Sequence, residues 1–366
     1  MSDREYYLAF SNASGVGPKS FGKLVKAFGS AKNAWNAKES ELLPVLKKSL
    51  TSKFVEFRKE FDFDSYLTRL SKQKISYVCL FEKDYPELLK KIPNPPIVLF
   101  TKGNKKIFHP EKLECLKMIA IVGTRRITAY GRAITEMFAE ELASSGLVIV
   151  SGMAFGVDGV AHKAALSVGG RTIAVLGNGV DLPYPRENQK LYEEILDSNG
   201  AIVSEFPPGE PPSVGSFPSR NRIIAGLSLG VLVTEGASDS GSLITASFGL
   251  EFGRKVFAVP GPITSSLSAA PLRLIEKGAK LVVSPSDIIK ELGIKNYELR
   301  KGKKETKFVG LSKDEKKIVE ILENESLLFD EIVRRLKLNP SKTATLLSFM
   351  EIKGILKNSG GSYSIA

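Results

Sequence analysis

The sequence predicts an α/β protein whose main domain is a doubly wound parallel sheet. Seven short runs rich in Val and Ile lie between positions 118 and 284, and one stretch with helical spacing separates each run from the next. Continuous apolar strands that alternate with helices are typical of a parallel sheet covered on both faces. This order of elements predicts an extended Rossmann-like domain, flanked by a helical module and a winged helix.

The helical module is predicted over residues 1–70. Its segment 14–30, SGVGPKSFGKLVKAFGS, indicates a helix-hairpin-helix element, because Gly15 and Gly17 permit a tight turn and Pro18 suits a first helical position. Such a turn is either a phosphate site at a helix start or a purely structural connection. The runs 75–81 and 95–100 predict strands that extend the following sheet at an edge, since prolines flank the second run.

The C-terminal part divides into a linker and a small domain. Residues 295–310 lack periodicity and hold six Lys or Arg, which predicts a linker. Residues 311–366 predict three short amphipathic helices and a hairpin that turns at Gly360 and Gly361, which together form a winged helix. The central domain is therefore expected over 71–294.

Composition restricts the function classes. The chain of 366 residues has 52 Lys and Arg against 40 Asp and Glu, a net charge of +12 that favours a polyanionic partner. Two cysteines, Cys79 and Cys115, and two histidines argue against a disulfide framework and a zinc site. Apolar runs fall short of the roughly 20 residues of a membrane span. We expect a cytoplasmic protein without metal or cofactor.

Ligands of open parallel sheets bind at the carboxyl ends of the strands, so the loops there carry the functional prediction. These loops are rich in glycine, hydroxyl groups and arginine, which suit an anion-binding rim. They read GTRRITAYG (123–131), SGMAFGVDGVAH (151–162), LGNGVDLPYP (176–185), PPGEPPSVGSFPSRNR (207–222), EGASDSGSLITA (235–246) and PGPITSS (260–266). The dinucleotide, P-loop and nucleophile-elbow motifs are missing from them, which argues against three common enzyme classes.

Acidic residues at these loops leave a catalytic alternative open. Asp158 and His162 are four residues apart, so they would share one face of a helix. They could form a catalytic base with the residue that orients it, or a structural pair. Glu235, at a strand end, is the better candidate for a catalytic carboxylate. Alternatively, Glu235 forms a structural ion pair with Arg220 or Arg222. These two arginines stand near the start of the helix predicted in FPSRNRIIAGLS (217–228). Further candidate acids are Asp181, Glu205 and Asp239.

Aromatic rings are interleaved with these cations. They are Tyr130, Phe155, Tyr184, Phe206 and Phe217. Bases of a single strand stack on such rings while Lys and Arg follow the phosphates. We expect most of the rings to be partly buried. Phe217 is the preferred stacking residue, because it stands in a Pro/Gly/Ser loop three residues before Arg220.

Seven motifs in a fixed order over about 140 residues resemble the DNA-processing protein A (DprA/Smf) family of bacteria. They are GTRRITAYG, SGMAFGVDGVAH, TIAVLGNGVDLPYPREN, SEFPPGEPP, FPSRNRIIAGLS, EGASDSGSLITA and GRKVFAVPG. The resemblance implies a non-catalytic single-stranded DNA-binding protein that protects incoming strands in natural transformation and helps to load a RecA-type recombinase. It also implies a homodimer formed through the central domain.

The resemblance and the strand-end chemistry together give the expected DNA-binding residues. They are Arg125, Arg126, Gly152, Phe217, Arg220, Asn221, Arg222, Ser240, Gly241 and Ser242. One segment departs from the family: in LSAAPLRLIEKGA (267–279), Ala269, Ala270 and Pro271 replace a polar stretch. The alternative function is a nucleotide N-glycosidase or phosphoribohydrolase that uses Glu235.

Overall fold

The computed structural model describes residues 2–108, 117–294, 311–322 and 325–365. The chain forms two compact units, Met1–Tyr297 and Glu298–Ala366. The predicted linker 295–310 lies outside the described residues, as does Cys115.

The first unit begins with a set of short helices. They are α1 (Asp3–Asn12), α2 (Pro18–Phe28), α3 (Ala31–Asn36), α4 (Glu39–Leu42), α5 (Lys48–Glu60) and α6 (Phe63–Lys72). Helix α2 begins at Pro18 as predicted, after a turn in which Gly15 has a φ of 84°. Aromatic rings fill the module: Phe10 stacks on Phe54 with ring centroids 5.2 Å apart, and Trp35 meets both rings edge-on.

A nine-stranded sheet forms the centre of this unit. Its strands are β1 (Ile75–Cys79), β2 (Val98–Gly103), β3 (Met118–Val122), β4 (Val148–Ser151), β5 (Thr172–Val175), β6 (Ala201–Ser204), β7 (Gly230–Val233), β8 (Lys255–Ala258) and β9 (Lys280–Leu281). The order is β1-β2-β6-β5-β4-β3-β7-β8-β9. Strands β3 to β9 are parallel, which confirms the seven predicted strands. Strands β1 and β2 extend the sheet at an edge, as predicted, and β2 pairs antiparallel with both β1 and β6.

Helices cover both faces of the parallel part. They are α7 (Glu87–Lys90), α8 (Ala129–Ser144), α9 (Val157–Ser167), α10 (Gln189–Asp197), α11 (Ser216–Leu227), α12 (Ser242–Glu251), α13 (Ala269–Glu276) and α14 (Pro285–Glu291). On β3, Ala120 and Val122 pack in a core with residues of α11, α12 and α13. Ile119 and Ile121 pack on the other face with residues of α8, α9 and α14. Burial on both faces explains why the strands are continuously apolar.

The N-terminal helices share a hydrophobic core with one end of the sheet. Phe10 and Trp35 belong to the same cluster as Phe100 of β2, Tyr192 of α10 and Ile202 of β6. Residues 1–70 therefore pack directly on the extended edge of the sheet, and the boundary at residue 70 stays a prediction.

The second unit has the winged-helix architecture that the sequence predicts. Its elements are α15 (Lys313–Leu322), β10 (Leu327–Leu328), α16 (Phe329–Leu336), α17 (Pro340–Ile352), β11 (Leu356–Ser359) and β12 (Ser362–Ile365). The sheet order is β10-β12-β11, and the hairpin turns at Gly360 and Gly361, which have φ values of 63° and 89°. Strand β10 was not predicted, because two residues carry no periodicity.

The winding of the large sheet reverses between β3 and β7, which lie side by side. Ligands of such sheets bind outside the carboxyl ends at this switch point. The loops after these two strands are the predicted ones that begin at positions 123 and 235. Among the described residues, every helix is too short or too polar to span a bilayer.

Candidate nucleic-acid interface

Glu235 at the end of β7 holds the loop after β3. Its backbone carbonyl accepts a hydrogen bond from the N–H of Thr124 at 2.7 Å. Its carboxylate accepts from the backbone N–H of Thr128 at 3.0 Å and from the Thr128 hydroxyl at 2.7 Å. These bonds close a short loop whose tip carries Arg125 and Arg126, and both arginines are exposed.

The prediction that Glu235 pairs with Arg220 or Arg222 is wrong. The side chain of Glu235 is only 3% exposed, and a Cβ atom at Gly131 would lie 2.2 Å from its Oε2. The N-terminus of α8 supplies the partner instead, because the unpaired N–H groups of a first helical turn favour a carboxylate. Glu235 therefore positions the arginine-bearing loop.

Arg220 is buried, which contradicts its expected place at the lip of a helix. Helix α11 begins at Ser216, so Arg220 lies in the second turn on the face toward the sheet, and only 5% of it is exposed. Its Nη1 donates to the carbonyl oxygen of Gly152 at 2.5 Å and also to that of Val175. Burial lowers the pKa of the guanidinium to about 10, although the charge of Asp158 acts in the opposite direction.

Asp158 and His162 have separate partners within the described residues, so neither version of the predicted pair forms. Burial raises the pKa of Asp158, and the N–H groups of Gly152 and Ala154, which donate to its carboxylate at 3.1 and 3.3 Å, oppose that rise. The Nδ1 atom of His162 lies 2.6 Å from the hydroxyl of Thr172. Burial lowers the pKa of His162 to about 3 and keeps the ring neutral at pH 7.

Arg222 forms an ion pair with Glu205, which follows β6. Both side chains are largely buried, with 12% and 11% exposed. Burial raises the pKa of Glu205, while the charge and hydrogen bond of Arg222 lower it. One of the two arginines is thus tied to a carboxylate inside the fold, but the acid is Glu205 rather than Glu235.

One of the exposed cations, Arg125, lies beside an aromatic ring. The guanidinium carbon of Arg125 is 5.9 Å from the ring centroid of Phe217. The loop after β4 also reaches this place, because Gly156 has a φ of 72° and a Cβ there would lie 2.2 Å from the carbonyl oxygen of Thr124. Arg125 and Phe217, which stand 92 positions apart in the printed sequence, therefore form one surface.

The serine loop lies next to the same helix. The side-chain amide of Asn221 is 3.4 Å from the carbonyl oxygen of Gly241. The hydroxyls of Ser240 and Ser242 are 2.8 Å apart, and Ser242 begins α12. The structure thus joins Asn221 to Gly241, which stands between the two predicted serines of this loop.

Among the aromatic residues, Phe217 does not lie in a loop as predicted. This residue belongs to the first turn of α11 rather than to a loop, and it is half-buried. Tyr184 stacks against it, with ring centroids 5.3 Å apart and an interplanar angle of 28°. Tyr130, Phe155 and Tyr184 are more exposed, at 38%, 44% and 40%.

Two supports of the interface were not predicted. Arg69 of α6 donates at 3.1 Å to the carbonyl oxygen of Pro208, and the N–H of Gly209 donates at 2.8 Å to Asp181. These bonds hold the loop before α11, and sequence separations of 139 and 28 residues gave no local signal for them.

Segment 267–279, which departs from the family's sequence pattern, contacts the loop after β7 through its backbone. The N–H of Gly236 donates at 2.6 Å to the carbonyl oxygen of Leu267, and the N–H of Ala270 donates at 2.8 Å to the carbonyl oxygen of Gly236. These bonds hold the segment beside Glu235 without the polar side chains that Ala269, Ala270 and Pro271 replace.

These features describe a Rossmann-like protein that carries arginine, serine and aromatic side chains in its strand-end loops and has a C-terminal winged helix. The family model described as "DNA recombination-mediator protein A" matches residues 76–293, and that of the "DprA winged helix domain" matches residues 304–362. The chain belongs to the DNA processing protein A family, also called DprA or Smf.

Known relatives extend over most of the chain. Protein Smf of Synechocystis sp. is 40% identical over 294 residues, which are 80% of this chain and 73% of that protein. The X-ray structure of DNA processing protein A from Streptococcus pneumoniae is similar with a TM-score of 0.68 and 36% identity, and the match covers 78% of this chain and 97% of that one. The Helicobacter pylori protein, described for its single-stranded DNA binding mode, has a TM-score of 0.53 and 33% identity, with coverages of 60% and 95%.

Proposed function

We propose that this protein binds single-stranded DNA at the candidate nucleic-acid interface without hydrolysing it. As a member of its family, it is a DNA processing protein, and we propose that it acts in transformation. The observation that carries the proposal is the position of the exposed Arg125 guanidinium beside the Phe217 ring at the switch point of the sheet. The single-stranded DNA binding mode described for the Helicobacter pylori relative supports it.

The chemistry of the exposed groups suits an unpaired strand. Arg125 and Arg126 offer forked N–H donors to phosphates, and the exposed rings of the strand-end loops, Tyr130, Phe155 and Tyr184, offer faces to bases. Ser240 and Gly241 add a hydroxyl and an accessible backbone next to Asn221. Arg220 and Arg222 lie buried beneath this surface. We expect them to stabilise the fold rather than to contact DNA. The phosphate-binding part of the site is therefore smaller than the sequence predicted.

The alternative of a nucleotide hydrolase requires Glu235 to reach a substrate. Its carboxylate is instead bonded to Thr128 and packed against Gly131, and this supports a binding function. Incubation of the protein with nucleoside monophosphates, followed by chromatography for free base, tests the alternative. Base release by the natural protein that disappears in Glu235→Gln would establish the hydrolase.

The remaining parts of the proposal rest on the family. We expect a homodimer formed through the central domain, delivery of bound strands to a RecA-type recombinase, and a cytoplasmic location. Sedimentation equilibrium measures the oligomeric state, and the rate of recombinase filament formation on single strands with and without this protein measures the delivery.

Competition binding tests the central claim. An oligo-dT should displace a labelled single strand at far lower concentration than a blunt duplex of equal length, because stacking needs unpaired bases. The double variant Arg125→Ala with Arg126→Ala should weaken oligo-dT binding. The matched control is Arg132→Ala, since Arg132 is an exposed arginine of α8 that pairs with Glu136. Equal affinity for single strand and duplex would instead indicate diffuse attraction by surface charge.

A further inference from the structure

The Phe217 ring is already covered on several sides. A Cβ atom at Gly177 would lie 3.2 Å from its Cδ1, so the ring packs against the backbone after β5. Tyr184 stacks on the ring and Arg125 lies 5.9 Å from its centroid. An incoming base would have to displace one of these neighbours to stack on Phe217.

Tyr184 presents the accessible ring of this stacked pair. Its side chain is 40% exposed, whereas Phe217 is half-buried. A planar ring that is supported by a second ring and open to solvent is the arrangement on which bases of single strands stack. Arg186, two residues later in the chain, is also exposed.

The loop that carries Tyr184 is fixed in place. The Asn178 side chain donates at 2.6 Å to the carbonyl oxygen of Leu182, and the Tyr192 hydroxyl donates at 2.6 Å to that of Val180. On the other side of Tyr184, the Asn188 side chain donates at 2.8 Å to the carbonyl oxygen of Met153. A fixed ring loses little conformational entropy on binding, which favours it as an anchor.

We propose that Tyr184 is a nucleobase-stacking residue of this protein, and that Phe217 acts beneath it as its support. The inference rests on the proposed function, because it assigns one base of a bound single strand to a defined ring. Stacking of a base on a π-face is tolerant of sequence, so the subsite takes any of the four bases.

The test combines a substitution in the protein with removal of the bases from the ligand. Binding of the full-length protein to oligo-dT is compared with binding to an abasic oligomer that has the same number of phosphates. Tyr184→Leu keeps an apolar side chain against Phe217 but removes the ring. It should weaken oligo-dT binding by about 5- to 150-fold and leave binding of the abasic oligomer unchanged.

Two further variants control the comparison. Tyr184→Phe should bind oligo-dT like the natural protein, since it keeps the ring. Phe81→Leu removes another exposed ring, which follows the outermost strand β1 and packs edge-on against Tyr7, and should change neither affinity. Thermal unfolding of each variant verifies that the fold is retained.

The outcomes separate this inference from the proposed function. An equal loss of affinity for both oligomers in Tyr184→Leu would show that Tyr184 only positions its neighbours. No loss of affinity for either oligomer would show that Tyr184 does not contribute to binding. Both results overturn the inference and leave the proposed single-strand binding intact. Failure of the natural protein to bind oligo-dT would overturn the proposed function and the inference with it.

Discussion

Arg220 lies directly beneath Gly152, with its Nη1 atom 2.5 Å from the Gly152 carbonyl oxygen. A Cβ atom at position 152 would lie 2.4 Å from the same nitrogen, so only glycine lets the loop after β4 rest on the guanidinium. The arginine thus supports a strand-end loop from the inside. Residues that support the loops in this way should differ from ligand-facing residues in their effects on stability and on DNA binding.

Replacement of Arg220 should destabilise the fold. Arg220→Met leaves two buried carbonyl groups without their donor and Asp158 without a nearby cation, so we expect the free energy of unfolding to fall by about 3 kcal/mol. Urea denaturation measures the loss. Adding Asp158→Asn should recover part of it, whereas adding Glu235→Gln should recover none, because Glu235 is bonded to Thr128. Unchanged stability with weaker DNA binding would place Arg220 on the ligand instead.

Arg125 should show the opposite behaviour. It is exposed, so Arg125→Ala should change the free energy of unfolding by less than about 0.5 kcal/mol. If it contacts one phosphate, the slope of log K against log salt for oligo-dT should flatten by about 0.7. Titrations at several salt concentrations measure the slope. The same slope in the variant and the natural protein would exclude a phosphate contact at this position.

Arg69 should connect the N-terminal module to the interface. Arg69→Ala removes the donor to Pro208 and frees the loop before α11, so limited proteolysis within 209–215 should become several-fold faster and single-strand affinity should fall. Lys72→Ala is the matched control, since Lys72 is an exposed cation on the same helix. Cleavage at equal rates in both variants would show that the loop is held without Arg69.

Stability should depend on pH through His162. Its pKa is lowered from 6.5 to about 3 by burial, so between these values the unfolded chain binds a proton that the folded protein excludes. Stability from this residue is fully present above pH 6.5 and is lost as the pH falls, with a slope approaching about 1.4 kcal/mol per pH unit.

Urea denaturation between pH 7 and pH 5 measures this slope, and His162→Asn supplies the comparison. Asparagine keeps a polar atom for Thr172 but does not titrate in this range. The variant should therefore show a shallower dependence on pH than the natural protein. Parallel curves would mean that His162 takes up its proton in the folded state.

Most helices and strands could be predicted from short stretches of sequence. The apolar run Met118–Val122 predicted a strand buried on both faces, Pro18 marked the start of α2, and Gly360 with Gly361 marked the hairpin of the winged helix. These signals are local, because periodicity and turn chemistry act over a few residues. The family motifs, read in order, likewise located the loops of the interface.

Which side chains in those loops face outward depends on contacts between distant parts of the chain. Arg222 meets Glu205 across 17 residues, Arg220 meets Gly152 across 68, and Arg69 meets Pro208 across 139. Because α11 begins at Ser216, Arg220 lies in the second turn of the helix and faces the sheet, although the sequence around Arg220 suggested the start of a helix. Such partners follow from the order of strands in the sheet and the rotation of each helix. Neither has a local signature, because charges pair by distance in space rather than by spacing along the chain.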